Sequence, residues 1–146
     1  MKMNGKMSSL LMQMNIAVSD IGQFRAAEPT PAISTVDGCV VITDEYERNR
    51  HVKVTDFPDR TGFECFINHA HLPYQGTRQS LIDSLGFAIG VRDALGRINE
   101  QREFLTIVSI ADGTCTVRFH QCRPSENWIS SDLEGYGDEA LLLLTS

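Results

Sequence analysis

Two β-type runs, Phe104 to Ile110 and Thr114 to Cys122, flank Ala111-Asp112-Gly113, and an Asp-Gly pair between such runs specifies a β-hairpin. This pairing constrains the chain more than any other feature. A period of two puts Cys115, Val117 and Phe119 on one face of the second arm and Thr116, Arg118 and His120 on the other. An isolated hairpin is marginal in water, so further strands or a helix must cover its apolar face. The cover is legible just upstream, where the period changes from 2 to 3.6. Leu81, Leu85, Ala88, Ile89, Leu95 and Ile98 form an apolar stripe, Arg78, Asp83, Arg92, Asp93 and Arg97 lie off it, and Thr77 is placed to cap the helix. Gly86 and Gly90 share one helical face; each weakens the helix by about 1 kcal/mol relative to Ala, which implies close backbone contact with the sheet. The charges around them exclude the membrane reading of G-x-x-x-G.

The remaining strands are read from shorter signals. Cys39 to Thr43 is an apolar run opened by the Asp37-Gly38 turn, the charged link Asp44 to Arg50 reads as a hairpin connection, and Val52, Val54 and Asp56 alternate with Lys53 and Thr55. A third strand, Gly62 to Leu72, follows the turn Pro58-Asp59-Arg60 and ends at Pro73. Ala140 to Leu144 reads as a last strand, since a helix that short is marginal. Asn15 to Val18 is a short strand followed by a loose stretch through Glu28, Pro29 and Pro31. The expected class is α+β: an antiparallel sheet in the order β-β-β-α-β-β-β, with one long helix packed on one face.

A chain of 146 residues has room for one core. Residues 15–146 are expected to form that single domain, with 1–14 a flexible leader or an overlong start, because all five Met fall at or before Met14. Lys2 and Lys6 precede Leu10, Leu11 and Met12 in the order of a signal peptide, but Gln13 and Asn15 interrupt the apolar part and no small-residue cleavage site follows. The net charge of −6 and the absence of a basic run argue against nucleic acid, and no apolar stretch approaches the roughly 20 residues that span a bilayer. Cys39 and Cys65 fall in separate expected strands, and Cys115 and Cys122 on opposite faces of one. Free buried thiols in a reducing cytoplasm are therefore expected.

Catalytic signatures are few. His69 and His71, two apart on an expected strand, project from one face with Cys65 further along it, an arrangement that holds zinc or iron when His120 or Cys39 arrives from another strand. The spacing by itself favours a structural role. Neither G-x-S-x-G nor a phosphate loop occurs, so no cofactor and no covalent catalysis are expected. Glu45, Glu47, Asp56 and Asp59 serve acid–base work only if the fold brings two together.

The segment Pro124 to Glu139 stands apart. It carries five acidic residues around Trp128 and Tyr136 without one Lys or Arg, and loops longer than about 12 to 15 residues are often functional. Aromatic anchors with steering charges define an interface, so Glu126, Trp128, Asp132, Glu134, Tyr136, Asp138 and Glu139 are the expected partner-binding residues. With this segment, its acidity and its element order, the chain over residues 15–146 resembles the immunity proteins of bacterial polymorphic-toxin and contact-dependent inhibition systems. That resemblance implies a cytoplasmic binder, without enzyme activity, whose partner is a cognate toxin or other basic protein covered at its active site. Type III secretion chaperones are similar in size and acidity, but begin with a well-formed amphipathic helix that the segment before Asp20 matches poorly. From another class comes a small metal-dependent enzyme using His69 and His71.

Overall fold

The computed structural model describes residues 1–26, 29–98 and 101–146. Its main sheet has five antiparallel strands: β1 (Lys2–Met3), β4 (His69–Pro73), β5 (Phe104–Ala111), β6 (Thr114–Gln121) and β7 (Ala140–Thr145), in the order β1-β7-β5-β6-β4. A separate two-stranded hairpin joins β2 (Ile33–Val36) to β3 (Cys39–Ile42). Among the described residues there are four α-helices, α1 (Gly5–Gln13), α2 (Thr43–Arg48), α3 (Arg60–Ile67) and α4 (Arg78–Ile98), and two 3-10 helices, Val18–Gln23 and Val54–Asp56. The α+β class, the antiparallel sheet and the long helix on one face are as expected. Glu28 lies outside the described residues.

The best-specified elements form as their chemistry dictates. The β5–β6 hairpin turns through Asp112 and Gly113 at φ 48° and 74°, and the β2–β3 hairpin through Asp37 and Gly38 at φ 50° and 78°. Two consecutive left-handed residues match the twist of the flanking strands, and Asp-Gly tolerates them. Thr77 caps α4 reciprocally: its Oγ1 accepts from Ser80 N at 3.1 Å, while Ser80 Oγ accepts from Thr77 N at 3.2 Å. Leu81, Leu85, Ala88, Ile89 and Leu95 of the stripe are buried against Val108, Ile110, Val117 and Phe119.

Several expectations on the N-terminal half are corrected. Residues 1–14, expected as a leader, belong to the core: Lys2 and Met3 pair with Leu143 and Leu142, and Met7 and Leu11 are fully buried beside α4. Asn15 to Val18 is not a strand: Asn15 closes the turn after α1 at φ 51°, and Val18 begins the 3-10 helix Val18–Gln23. The link Asp44 to Arg50 is mostly α2, whose Arg48 and the following Arg50 pair with Glu45 and Glu47 three residues back, each at 2.6 Å. Val54–Asp56 is a single 3-10 turn, closed by Lys53 N donating to Asp56 Oδ2 at 2.8 Å.

The expected third strand is divided. Asp59 caps a helix through Oδ1, which accepts from Gly62 N at 2.7 Å, so α3 replaces the first part and only β4 is extended. Period-two reading failed because Phe63, Glu64, Cys65 and Ile67 are all buried, leaving Phe66 as the exposed apolar position. An eight-residue helix with most of its positions buried offers too few turns for a 3.6 period to stand out against a period of two.

That enclosure places Glu64 and Asn68 between β3 and β6. Glu64 is fully buried; Oε1 accepts from Val40 N at 2.9 Å and Arg123 Nη2 at 2.8 Å, and Oε2 from Gln121 N and Arg123 Nη1, both at 2.8 Å. Burial works against the Arg123 charge, but the hydrogen bonds and field of Glu64 outweigh it and raise the guanidinium pKa above its usual value. Four residues on, Asn68 Oδ1 accepts from Ile42 N at 2.8 Å, and Nδ2 donates to Val40 O at 2.7 Å. The side chains of α3 thus bond the edge of β3 as a neighbouring strand would.

Gly86 is explained by contact with the chain before β2 rather than with the sheet. A Cβ there would sit 2.5 Å from the Arg25 carbonyl carbon and 2.6 Å from Ala26 N. Gly96, by contrast, would meet nothing closer than Ser146 Cβ at 3.8 Å. Gly96→Ala is therefore expected to raise stability by up to about 1 kcal/mol, and Gly86→Ala to lower it by about 1–3 kcal/mol despite the same gain in helix propensity. Urea midpoints of the two variants check this opposition of sign. Glu64→Gln, which leaves the half-buried Arg123 with Glu126 at 3.8 Å in place of its bidentate partner, is expected to lose about 3 kcal/mol or more in the same measurement.

Candidate functional site

One face of the main sheet is sealed by α1 and α4, and the opposite face carries the chemistry. Over β5 and β7 that outer face is apolar: Leu105, Ile107, Leu141 and Leu143 pack under Ile129, Leu133 and Tyr136. The acidic segment is thus seated on the sheet by its own apolar residues.

Its two ends are clamped. At the start, Glu126 Oε2 accepts from Thr61 N at 3.0 Å and Thr61 Oγ1 at 2.8 Å, at the first turn of α3, and lies 3.8 Å from Arg123. At the finish, the buried Asn4 donates Nδ2 to Glu139 O at 2.8 Å, while its Oδ1 accepts from Leu141 N and, as the cap of α1, from Met7 N, each at 3.0 Å. Gly5 N donates to Glu134 Oε1 at 2.8 Å, placing a carboxylate at the positive end of α1. Lys6 Nζ donates to Asp138 O at 2.6 Å. The supposed leader is what orders the supposed docking loop.

These contacts sort the expected partner-binding residues. Glu126, Glu134 and Glu139 are held internally, Glu139 by a short hydrogen bond from the Ser109 hydroxyl. Tyr136 is half-buried, and its hydroxyl accepts from Ser130 N at 3.0 Å. Asp132 folds back on its own turn, with Oδ1 accepting from Glu134 N at 3.1 Å, yet remains exposed. Asp138 is exposed, with no cation on its carboxylate among the described residues. Trp128 is the outermost large side chain of the segment, 44% exposed, with the Arg118 guanidinium carbon 5.1 Å from its ring centroid.

Arg118 was not singled out by sequence reasoning beyond its face, because the ring against it, Trp128, comes from the acidic segment after the strand. Beside it the outer face is uncovered. A groove of about 280 Å³ runs along β5 and β6, lined by Ile107, Ser109, Thr114, Thr116, Arg118 and Glu139, with Ala111 at its end. His69 and His71 border it from β4, opposite Arg118 and Thr116 in register. Their rings stack edge to face with centroids 5.0 Å apart; His69 Nδ1 lies 2.6 Å from Phe66 O and His71 Nδ1 3.2 Å from Thr116 Oγ1.

The other proposed metal ligands do not join this pair. Cys65 is buried in α3, Cys39 is buried in β3, and His120, also buried, points Nδ1 at Gln121 O at 2.9 Å. Among the described residues no three His, Cys, Asp or Glu side chains converge as a metal site. Burial raises the Cys39 and Cys115 thiols to about 11 and pushes Cys65 higher still, so these three are protonated and poorly nucleophilic at neutral pH. All four cysteines are free. No helix among the described residues is long and apolar enough to cross a membrane.

The Uncharacterized protein PM0498 family matches residues 2–146, which include the N-terminal strand and helix as well as the acidic segment. The chain belongs to this family. No curated protein matches it, and no solved structure does.

Because Asn4 joins α1, β7 and the end of the acidic segment, Asn4→Ala is expected to release residues 133–139 locally before the sheet is affected. Amide hydrogen exchange should then accelerate about tenfold or more at Tyr136 and Glu139. The Val108 and Val117 amides should keep their protection.

Proposed function

We propose that this protein is a non-enzymatic cytoplasmic binder that presents the Trp128 side of its acidic segment to a basic protein. In its specific form it is an immunity protein that neutralises a cognate toxin by covering the active site. One observation carries this reading: the segment is clamped at both ends and seated on the sheet, yet leaves Trp128, Asp132 and Asp138 outward. A surface ordered before binding loses little conformational freedom on association, and an exposed tryptophan is the residue type that most often anchors an interface. Carboxylates around such an anchor steer a cationic partner and raise its association rate. The protonated state of the buried thiols supports a binding role over thiol chemistry.

The structure narrows the residues to be tested. Reversal of Glu134 or Glu139 would disturb the cap of α1 or the Ser109 contact, whereas Asp132 and Asp138 can be changed without breaking a tie between elements. If a neighbouring reading frame encodes a basic protein and this is taken as partner, Trp128→Ala is expected to weaken binding by about thirtyfold, or about 2 kcal/mol. Asp132→Lys combined with Asp138→Lys is expected to slow association about tenfold at low salt, the difference closing as salt is added. Surface plasmon resonance across a salt series measures both. A neighbouring product that does not bind, or kinetics unchanged in both variants, overturns the reading.

A further inference from the structure

The groove on the outer face holds two opposite charges that do not meet. Arg118 makes no hydrogen bond to any acceptor among the described residues, and its Nε is buried without a partner. It forms no ion pair there with Glu139, although both line the same groove. Glu139 commits Oε2 to the Ser109 hydroxyl, and Oε1 has no partner among the described residues. A guanidinium and a carboxylate at opposite ends of one cleft ordinarily close on each other. Here each is held in place by something else, Arg118 under the Trp128 ring and Glu139 on Ser109.

Sheet register separates the two positions that hold the charges. Arg118 stands opposite Ile107, and Ser109, which fixes Glu139, stands opposite Thr116, one two-residue step along the strands. That step is roughly 7 Å. Between the two charges lie Ile107 and Thr116, and Ala111 and Thr114 carry the groove one step past Ser109, which together leave a shallow floor with apolar and hydroxyl surface. An arginine fork favours a planar carboxylate, and a carboxylate favours an ammonium or hydroxyl donor.

From this juxtaposition we propose that the groove binds a small zwitterionic ω-amino acid, its carboxylate on Arg118, its ammonium on Glu139 and its methylenes along Ile107. The site goes beyond the protein-binding role and does not depend on it.

Trp128, the chain's single tryptophan, lies against Arg118 and so reports occupancy by fluorescence. The full-length protein is titrated with 4-aminobutyrate, and with butyrate, butylamine, glycine and inorganic phosphate as controls. A saturable change with 4-aminobutyrate at concentrations where none of the controls acts is the expected result. Arg118→Gln should weaken the response tenfold or more, and Glu139→Gln should erase the preference over butyrate. Backbone amide shifts in the unmutated protein keep the test independent of variant folding: they should concentrate at Ser109, Thr116 and Arg118. No saturation, equal binding of butyrate or phosphate, a response that survives Arg118→Gln, or shifts centred elsewhere would each overturn the proposal.

Discussion

The buried carboxylate of Glu64 is the contact on which the arrangement of this fold depends. An ionised side chain with no solvent exposure is strongly unfavourable unless its acceptor sites are filled, and here both oxygens are taken by two backbone amides and a bidentate arginine. The two amides belong to β3 and to the end of β6, so α3 joins a hairpin and a sheet that share no ladder. Asn68 repeats the device one turn later, with Nδ2 reaching Val40 O and also Phe119 O at 3.3 Å. Directional polar bonds in a dry site admit one register, whereas the apolar contacts of Phe63 and Ile67 beside them would tolerate sliding.

The same ion pair sets the start of the acidic segment. Arg123 emerges from β6, is fixed by Glu64, and leads to Glu126, which bonds the first turn of α3. Asn4, Gly5 and Lys6 hold the other end. A segment rich in Gly, Ser and carboxylates has little reason to be ordered alone; between two clamps, with Ile129 and Leu133 under it, it becomes part of the surface. Its negative potential is then carried at defined positions, chiefly Asp132 and Asp138, and Trp128 is set over Arg118 rather than into the core. The uncovered strip of sheet beside that pair is where the unmatched Arg118 and Glu139 face the same groove.

Legibility from sequence followed how local each signal was. The β5–β6 hairpin, α4 and β7 were readable because a turn dipeptide, a 3.6 period with a capping threonine, or an unbroken apolar run is complete within a few residues. The Asp37-Gly38 turn opened β3 but not β2, since Ile33-Ser34-Thr35-Val36 carries weak alternation. α3 was hidden because a nearly enclosed helix buries polar Glu64 and Thr61 along with its apolar residues. Asp59 was the available signal, an N-cap three residues before Gly62 that also reads as a turn. For α1, a short methionine-rich amphipathic stretch resembles a leader until β7 and α4 supply the surface that buries Met7 and Leu11.

The candidate site divides along the same line. Composition alone located the acidic segment, Trp128 and the pair His69 and His71, because clustering and parity are properties of adjacent residues. Which carboxylates face solvent, which hold the fold together, and that Arg118 and Glu139 share a groove without touching depend on β1, β7, β5 and β6 meeting from distant parts of the chain. Local chemistry therefore determined the α+β class, the central hairpin and the long helix. Tertiary structure alone decided the roles of the N-terminus and of each acidic residue, since hydrogen bonds between residues more than 100 positions apart leave no periodic trace in the sequence.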